Sequence, residues 1–351
     1  MSGRLRLRRG VVISADPLEI EIGGEPRRAW ADAALLGEMR AGDEVVVNVA
    51  ALDLGLGSGG FDVVHVNLTR GLDAPAGGEA HVIKLNYTSL QHPVEPVERQ
   101  AVHLFPIRPE ERKGTGEEDV GVPVAVLPLH GHLAPAAWAL AQVGPNLRVG
   151  YVQTGGGALP GSFSRDAWAL RERGLLAGHA TAAPSFGGEH EALSTVGALD
   201  AAAELGWDAV LVGPGPGIIG SDTAYGHGGM AALDNAHAGL SLGVPTLISP
   251  RLSSADPRSR HLGLSHHTRT VLELLLNEVD VAVPEGEPEI AEALGSFGHR
   301  VLSAPADLDG YGASGLPTTT MGRSLLEDPL FFAAPLATGA VLARSLAGQG
   351  L

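Results

Sequence analysis

From residue 122 onward the chain alternates short, mostly apolar runs with longer segments of helical spacing, and few folds accept that alternation. The runs at 122–127, 148–153, 179–183, 209–212, 245–248 and 279–283 have no polar face. Such strands are buried on both sides, as in a parallel sheet covered by helices. Helical patterns fall between them, at 135–143, 165–173, 191–205, 230–242, 267–277 and 288–297, and a last strand is expected at 300–302. Strand–helix alternation of this kind predicts an α/β fold: a doubly wound, Rossmann-like parallel sheet with right-handed crossovers. Residues 303–328 read as a long irregular stretch, and a loop of that length in a compact domain serves function or an interface. A closing helix is expected at 331–346.

The first third reads differently. Short strands at 10–13, 18–22, 43–49, 61–68 and 80–87 are punctuated by turns such as Asp16-Pro17 and Gly23-Gly24, with one short helix at 31–38. Closely spaced short strands predict a small all-β, barrel-like domain over residues 1–105. Residues 106–120 are charged and rich in Pro and Gly, which predicts a linker or exposed loop. The α/β domain then occupies 121–351. Lys84, the only lysine of the first region, is expected at the surface or at an interdomain cleft.

Composition narrows the partners. A net charge of −16 argues against nucleic acid and against an anionic membrane surface. With no cysteine, disulfides, zinc–thiolate sites and cysteine nucleophiles are excluded. The basic N-terminus is followed by no apolar run of signal-peptide kind, so the expected location is cytoplasmic.

In an open parallel sheet, ligands bind beyond the carboxyl ends of the strands. Two stretches there stand out. Gly215-Pro216-Gly217-Ile218-Ile219-Gly220 fits Gly-x-Gly-x-x-Gly after a strand. However, Pro214 and Pro216 offer no N–H, further glycines delay the helix, and Arg251 rather than an acid ends the next strand. The stretch therefore reads as a tight turn whose Gly215, Gly217 and Gly220 N–H groups, with Ser221, Asp222 and Thr223, suit a ligand smaller than a dinucleotide. Glu189 falls on the same expected rim.

The second stretch, 251–269, carries Arg251, Arg258, Arg260 and Arg269 against Asp256, four positive charges against one negative. Ser265 is placed to cap the following helix. Arginine forks beside a helix N-terminus favour a carboxylate or a phosphate. An arginine loop that makes ion pairs, or meets a partner subunit, fits the same residues. A metal is a third reading, since His130, His132, His190, His227, His261, His266 and His267 all fall near the rim. No His-Glu-x-x-His pattern occurs, and adjacent helical residues such as His266 and His267 point roughly 100° apart, so no metal ligand is assigned. No Gly-x-Ser-x-Gly elbow occurs either. No cofactor can be named from these residues.

Several segments taken together resemble a bacterial family known as domain of unknown function 3866. They are Ser254-Ala255-Asp256-Pro257-Arg258, Arg260-His261, Gly263 and Ser265-His266-His267; Lys84-Leu85, Tyr87-Thr88 and Leu90-Gln91; Phe186-Gly187-Gly188; and Met321-Gly322-Arg323 with Asp328-Pro329 and Phe331-Phe332. The resemblance spans essentially the whole chain and implies no activity, cofactor or catalytic residue. It implies that the Met321 loop belongs with the site or with an interface. It also implies an aromatic-Gly-aromatic triplet where this chain has Tyr225-Gly226-His227, which sets His227 apart from any chemistry the family shares.

Two functions fit. In the first, an enzyme acts on a small anionic molecule, phosphorylated or carboxylated. Arg258 and Arg260 hold the anion, His261 or His266 is the general acid or base, Asp256 orients that histidine, and the glycine loop donates N–H groups. In the second, a non-catalytic protein binds a metabolite at the same rim or builds a homo-oligomer there.

Overall fold

The computed structural model describes residues 4–56, 59–72, 80, 82–99, 121–221 and 223–348. The linker expected at 106–120 lies outside them, as does Asp222. The chain forms two compact units, Met1–Glu79 and Ala80–Leu351.

The first unit is a closed five-stranded barrel: β1 (Leu7–Ala15), β2 (Leu18–Ile22), β3 (Glu25–Trp30), β4 (Glu44–Asn48) and β5 (Asp62–Asn67), in the order β1-β2-β3-β5-β4. The β3–β5 pair is parallel and the others are antiparallel. Alternation along the strands turns Val12, Ile20, Val45, Val47 and Val64 inward to a small core. Strand β3 was not expected, because Pro26, Arg27 and Arg28 hide its period. Arg27 reaches Asp62 at 2.6 Å and Asp53 at 2.9 Å instead of making an apolar face.

The second unit begins with a hairpin, β6 (Val82–Lys84) and β7 (His92–Val94). Its main sheet has eight parallel strands: β8 (Val124–Val126), β9 (Val149–Thr154), β10 (Gly178–Ala182), β11 (His190–Ala192), β12 (Ala209–Pro214), β13 (Thr246–Ile248), β16 (Asp280–Pro284) and β17 (Arg300–Ala304). Two short strands between β13 and β16, β14 (Leu252–Ser253) and β15 (Gly263–Leu264), pair only with each other. The sheet order is β11-β10-β9-β12-β8-β13-β16-β17. Every residue of β8, β9, β10, β12 and β13 is buried, which explains why these strands read as unbroken apolar runs.

Successive residues of each strand serve opposite faces. Ala125, Tyr151 and Leu211 join a core with α3 (Leu133–Val143), α4 (Arg165–Glu172), α9 (Leu308–Ala313) and α10 (Pro329–Leu346). Val126, Val152 and Val212 join a second core with α5 (Thr195–Asp200), α6 (Ala231–Leu242), α7 (His266–Leu274) and α8 (Pro288–Gly295). Two four-residue helices, α1 (Ala33–Leu36) and α2 (Ala50–Asp53), belong to the first unit. Helix α10 alone among the described helices is long and apolar enough to cross a membrane, and it is mostly buried in its own unit.

Two sequence readings need correction. The helix expected at 191–205 is the edge strand β11 followed by the shorter α5, whose N-cap Ser194 accepts from the Gly197 N–H at 2.9 Å. The stretch expected to be irregular, 303–328, contains α9 and a hairpin of β18 (Thr319–Thr320) and β19 (Arg323–Ser324).

Lys84 is buried rather than at the surface. It is 3 % exposed within the second unit, and its ammonium donates to the carbonyls of Thr181 and Ser185, both at 2.7 Å, and to Glu191 at 2.5 Å. Burial lowers its pKa, and the Glu191 charge opposes that shift. Lys84→Met removes a buried cation and strands three acceptors at the β10–β11 edge. The expected loss is about 3–5 kcal/mol in a urea titration. A loss below about 1 kcal/mol would show that the lysine does not hold the hairpin to the sheet.

Candidate functional site

Strand β8 is flanked by β12 and β13. After β8 the chain passes through a turn at His130–His132 into α3 on one face; after β12 it passes through a glycine loop into α6 on the other. Crossovers that part in this way open a crevice at the carboxyl ends of the strands. A cavity of about 450 Å³ lies there. Its polar wall comes from Arg251, Arg258, Arg260, His130, His261 and His267, and its loop wall from Gly217, Gly220 and Ser221. Thr320, Met321 and Phe331 complete it. Among the described residues, no Asp or Glu lines it.

The glycine loop behaves as a close-packed turn. A Cβ on Gly215 would stand 2.2 Å from the Ala158 carbonyl oxygen, and Gly217 has a φ of 73°, a left-handed value that favours glycine. Gly217 and Gly220 reach the cavity; Gly215 packs behind it. Ser221 lines the cavity, while its hydroxyl stands 2.8 Å from that of Thr223, which caps the Gly226 N–H from outside the cavity wall. Asp222 lies outside the described residues.

Arg251, Arg258 and Arg323 are held by carboxylates behind the cavity. Asp256 accepts a fork from Arg258, at 2.9 and 2.8 Å, and faces Arg251 at 3.4 Å. Arg323 lies 3.6 Å from Asp256 and donates to Asp328 at 2.9 Å. Asp328 also accepts from the Ser253 hydroxyl and from the Ser254 N–H, both at 2.7 Å. Burial alone would raise both carboxyl pKa values. The Arg258 bonds to Asp256, and the Ser253, Ser254 and Arg323 bonds to Asp328, outweigh that and hold both below the usual carboxylate range. Burial, then the charge of Arg258, lowers Arg251 to about 10, so it stays charged at neutral pH.

Asp256 thus positions arginines, whereas the sequence reading had it orient a histidine. That partner is Ser265. Its hydroxyl oxygen accepts the His267 N–H at 3.2 Å as the N-cap of α7, and it stands 2.7 Å from His261 Nδ1. Assigning the hydroxyl proton to Nδ1 places the ring proton on Nε2. Burial, then Arg251 and Arg258, lowers the His261 pKa to about 3, so the ring is neutral at pH 7. His261 presents a neutral N–H donor and is not an acid in the unliganded protein.

His266 stands beside the cavity wall rather than on it. Its ring centroid is 4.8 Å from that of His261 and 4.4 Å from that of His267. Glu189 is remote from this group: it pairs with Arg171 at 2.8 Å near β10, toward one end of the sheet, while the cavity lies at its middle. The edge strand β11 decides this: it runs parallel to β10 with His190 opposite Ala180, so Glu189, just before it, falls at the amino end of β10. Sequence reasoning did not assign Arg251, His130, His267, Thr320 or Phe331 to the site. Arg251 had been read as ending a strand; β13 stops at Ile248, and Arg251 follows it as a buried residue. The Met321 loop, which the family resemblance implied for the site or an interface, lines the cavity.

Comparison with curated proteins and with solved structures gave no match. The family model described as Protein of unknown function (DUF3866) matches residues 28–339, nearly the whole chain, and the protein belongs to that family.

Proposed function

We propose that the rim cavity binds a small anionic molecule, phosphorylated or carboxylated, and that the protein acts on it as an enzyme. One observation carries this reading: three arginines and three histidines face one cavity at the carboxyl ends of β8, β12 and β13, with no described carboxylate on its wall, in a chain of net charge −16. Arg258 and Arg260 hold the anion, backed by Arg251, and the Gly217 and Gly220 loop adds backbone donors. His261, fixed by Ser265 as a neutral Nε2–H donor, stabilises charge developing on a substrate oxygen. In this reading His261 acts by hydrogen-bond donation rather than as the acid or base first expected of it, and His266 does not line the cavity. A cytoplasmic setting is part of this reading; the one long apolar helix among the described residues is mostly buried.

Titration with inorganic phosphate tests the binding half. Charge-assisted hydrogen bonds contribute about 1.5–3 kcal/mol each. The Arg258→Ala/Arg260→Ala double variant is therefore expected to lose roughly 100-fold or more in affinity while its melting curve stays cooperative. Unchanged affinity would remove the arginines from the site.

A second reading, homo-oligomer assembly at this rim, is favoured by the exposed apolar residues Ile219, Tyr225, Leu262 and Met321 on the loops of the site. Under it, Ile219→Asp with Met321→Asp dissociates an oligomer in sedimentation. A wild-type monomer would exclude it.

A further inference from the structure

We propose that His227, His266 and His267 form a binding site for one borderline-soft divalent ion such as Zn²⁺, Co²⁺ or Ni²⁺. One ring nitrogen from each residue lies within 4.8 Å of the others. Nitrogens on a tetrahedral zinc stand roughly 3.4 Å apart, given Zn–N bonds of ~2.0–2.1 Å, so binding draws the three rings together and turns His267 out of its parallel stack on His227 until both ring planes meet at the ion.

Two further observations point to a missing partner. His227 Nε2 stands 2.9 Å from the Ala224 carbonyl oxygen and donates to it, which leaves the lone pair on Nδ1. That Nδ1 is buried and has no hydrogen-bond partner, although His227 is only 6 % exposed. His266 Nε2 is likewise buried and unpartnered. Buried ring nitrogens seldom go unsatisfied, and two of them in one three-histidine cluster suit a shared ligand.

The local fold explains how adjacent residues converge. His266 is the first residue of α7, and its ring leans toward His227, with centroids 5.6 Å apart. His267 stacks on His227 at 3.6 Å. The rings thus meet across the loop before α6, which the roughly 100° helical step between neighbours does not predict.

Charge and ligand type select the ion. Neutral imidazoles suit zinc, cobalt, nickel and copper, and the absence of a carboxylate from the cluster disfavours Mg²⁺ and Ca²⁺. Arg251 Nη1 donates to His267 Nδ1 at 3.1 Å, so ion binding displaces this hydrogen bond and leaves Arg251 to Asp256, 3.4 Å away. Three protein ligands leave a fourth position for water or another donor, and His267 places that position beside the cavity. The ligand set is proposed for this chain, since the family resemblance implies an aromatic residue at 227.

Untagged full-length protein is titrated with Co²⁺ in visible absorption and with Zn²⁺ by calorimetry, in buffer free of phosphate so that the outcome is independent of anion binding. Wild type is expected to take up one equivalent with the intense bands of tetrahedral cobalt. His227→Gln and His266→Gln should each weaken binding at least tenfold, while the distant His237→Gln leaves it unchanged. X-ray absorption of the wild-type zinc complex, which needs no variant, should count three imidazoles. Absence of stoichiometric uptake, wild-type affinity in the His227→Gln/His266→Gln variant, or fewer than three imidazoles would overturn the assignment.

Discussion

Acidification from pH 6.5 to pH 4 is expected to remove on the order of 5 kcal/mol of stability through two buried histidines alone. The cause is histidines buried in neutral form. His132 is fully buried, with one ring nitrogen 3.0 Å from the Ser249 hydroxyl and the other unpartnered. Burial, then the charge of Arg251, lowers its pKa to about 3. His179 is 4 % exposed and stacks on Tyr151, and burial, then His130, lowers it to about 4. Both rings titrate at about 6.5 in the unfolded chain.

Below pH 6.5 the unfolded chain therefore takes up protons that the native state refuses. Each such group costs about 1.4 kcal/mol per pH unit until its native pKa is reached. Their stabilising contribution is complete above pH 6.5 and lost as pH falls. Asp256 and Asp328, held low, add their loss only below the ordinary carboxylate range. Urea titrations between pH 7.5 and 4.5 should show a slope of about two protons for these groups, reduced by about one in His132→Gln. A flat profile down to pH 5 would contradict the burial of these rings as neutral species.

Asp328→Ala is expected to cost about 3–5 kcal/mol and to weaken anion binding as well. The carboxylate is fully buried and takes hydrogen bonds from Ser253, Ser254 and Arg323. Its removal strands the Ser254 N–H and leaves Arg323, whose side chain is 14 % exposed, to Asp256 alone. Asp256 is the residue that forks Arg258, so a redirected Arg323 draws on the carboxylate that positions the cavity arginines. The effect on binding travels through this shared carboxylate, because Asp328 does not line the cavity. Asp328→Asn keeps the shape and one acceptor and should recover part of the stability. A stable Asp328→Ala protein with unchanged phosphate affinity would show that the two carboxylates do not act as one network.

The sheet was legible because buried parallel strands leave unbroken apolar runs: 209–212 and 148–153 fall within or against β12 and β9. The barrel was legible from its turn spacing, except at β3, where Arg27 spends its side chain on Asp62 and Asp53 rather than on an apolar face. Within the site, the surplus of arginine in 251–269 marked the right loop, since charge of one sign persists locally against a chain of the other. The pairing within that loop was not legible. Ser265 caps α7 as expected and also takes the histidine contact expected of Asp256, because a two-residue reach favours the Asp256–Arg258 fork and the N-cap turn brings Ser265 under His261. Glu189 was misplaced because β11 was read as the start of a helix: β11 runs parallel to β10 with His190 opposite Ala180, so Glu189 falls at the amino end of β10 and off the carboxyl rim.

The most direct test of the anion site is a thermal melt of the wild-type protein against inorganic phosphate, nucleotides, sugar phosphates and small carboxylates. A ligand at 100 times its dissociation constant adds about 2.7 kcal/mol. A clear rise with at least one anion, abolished in Arg258→Ala/Arg260→Ala, is the result expected. No shift from any anion, or a shift that survives in the double variant, would contradict the account.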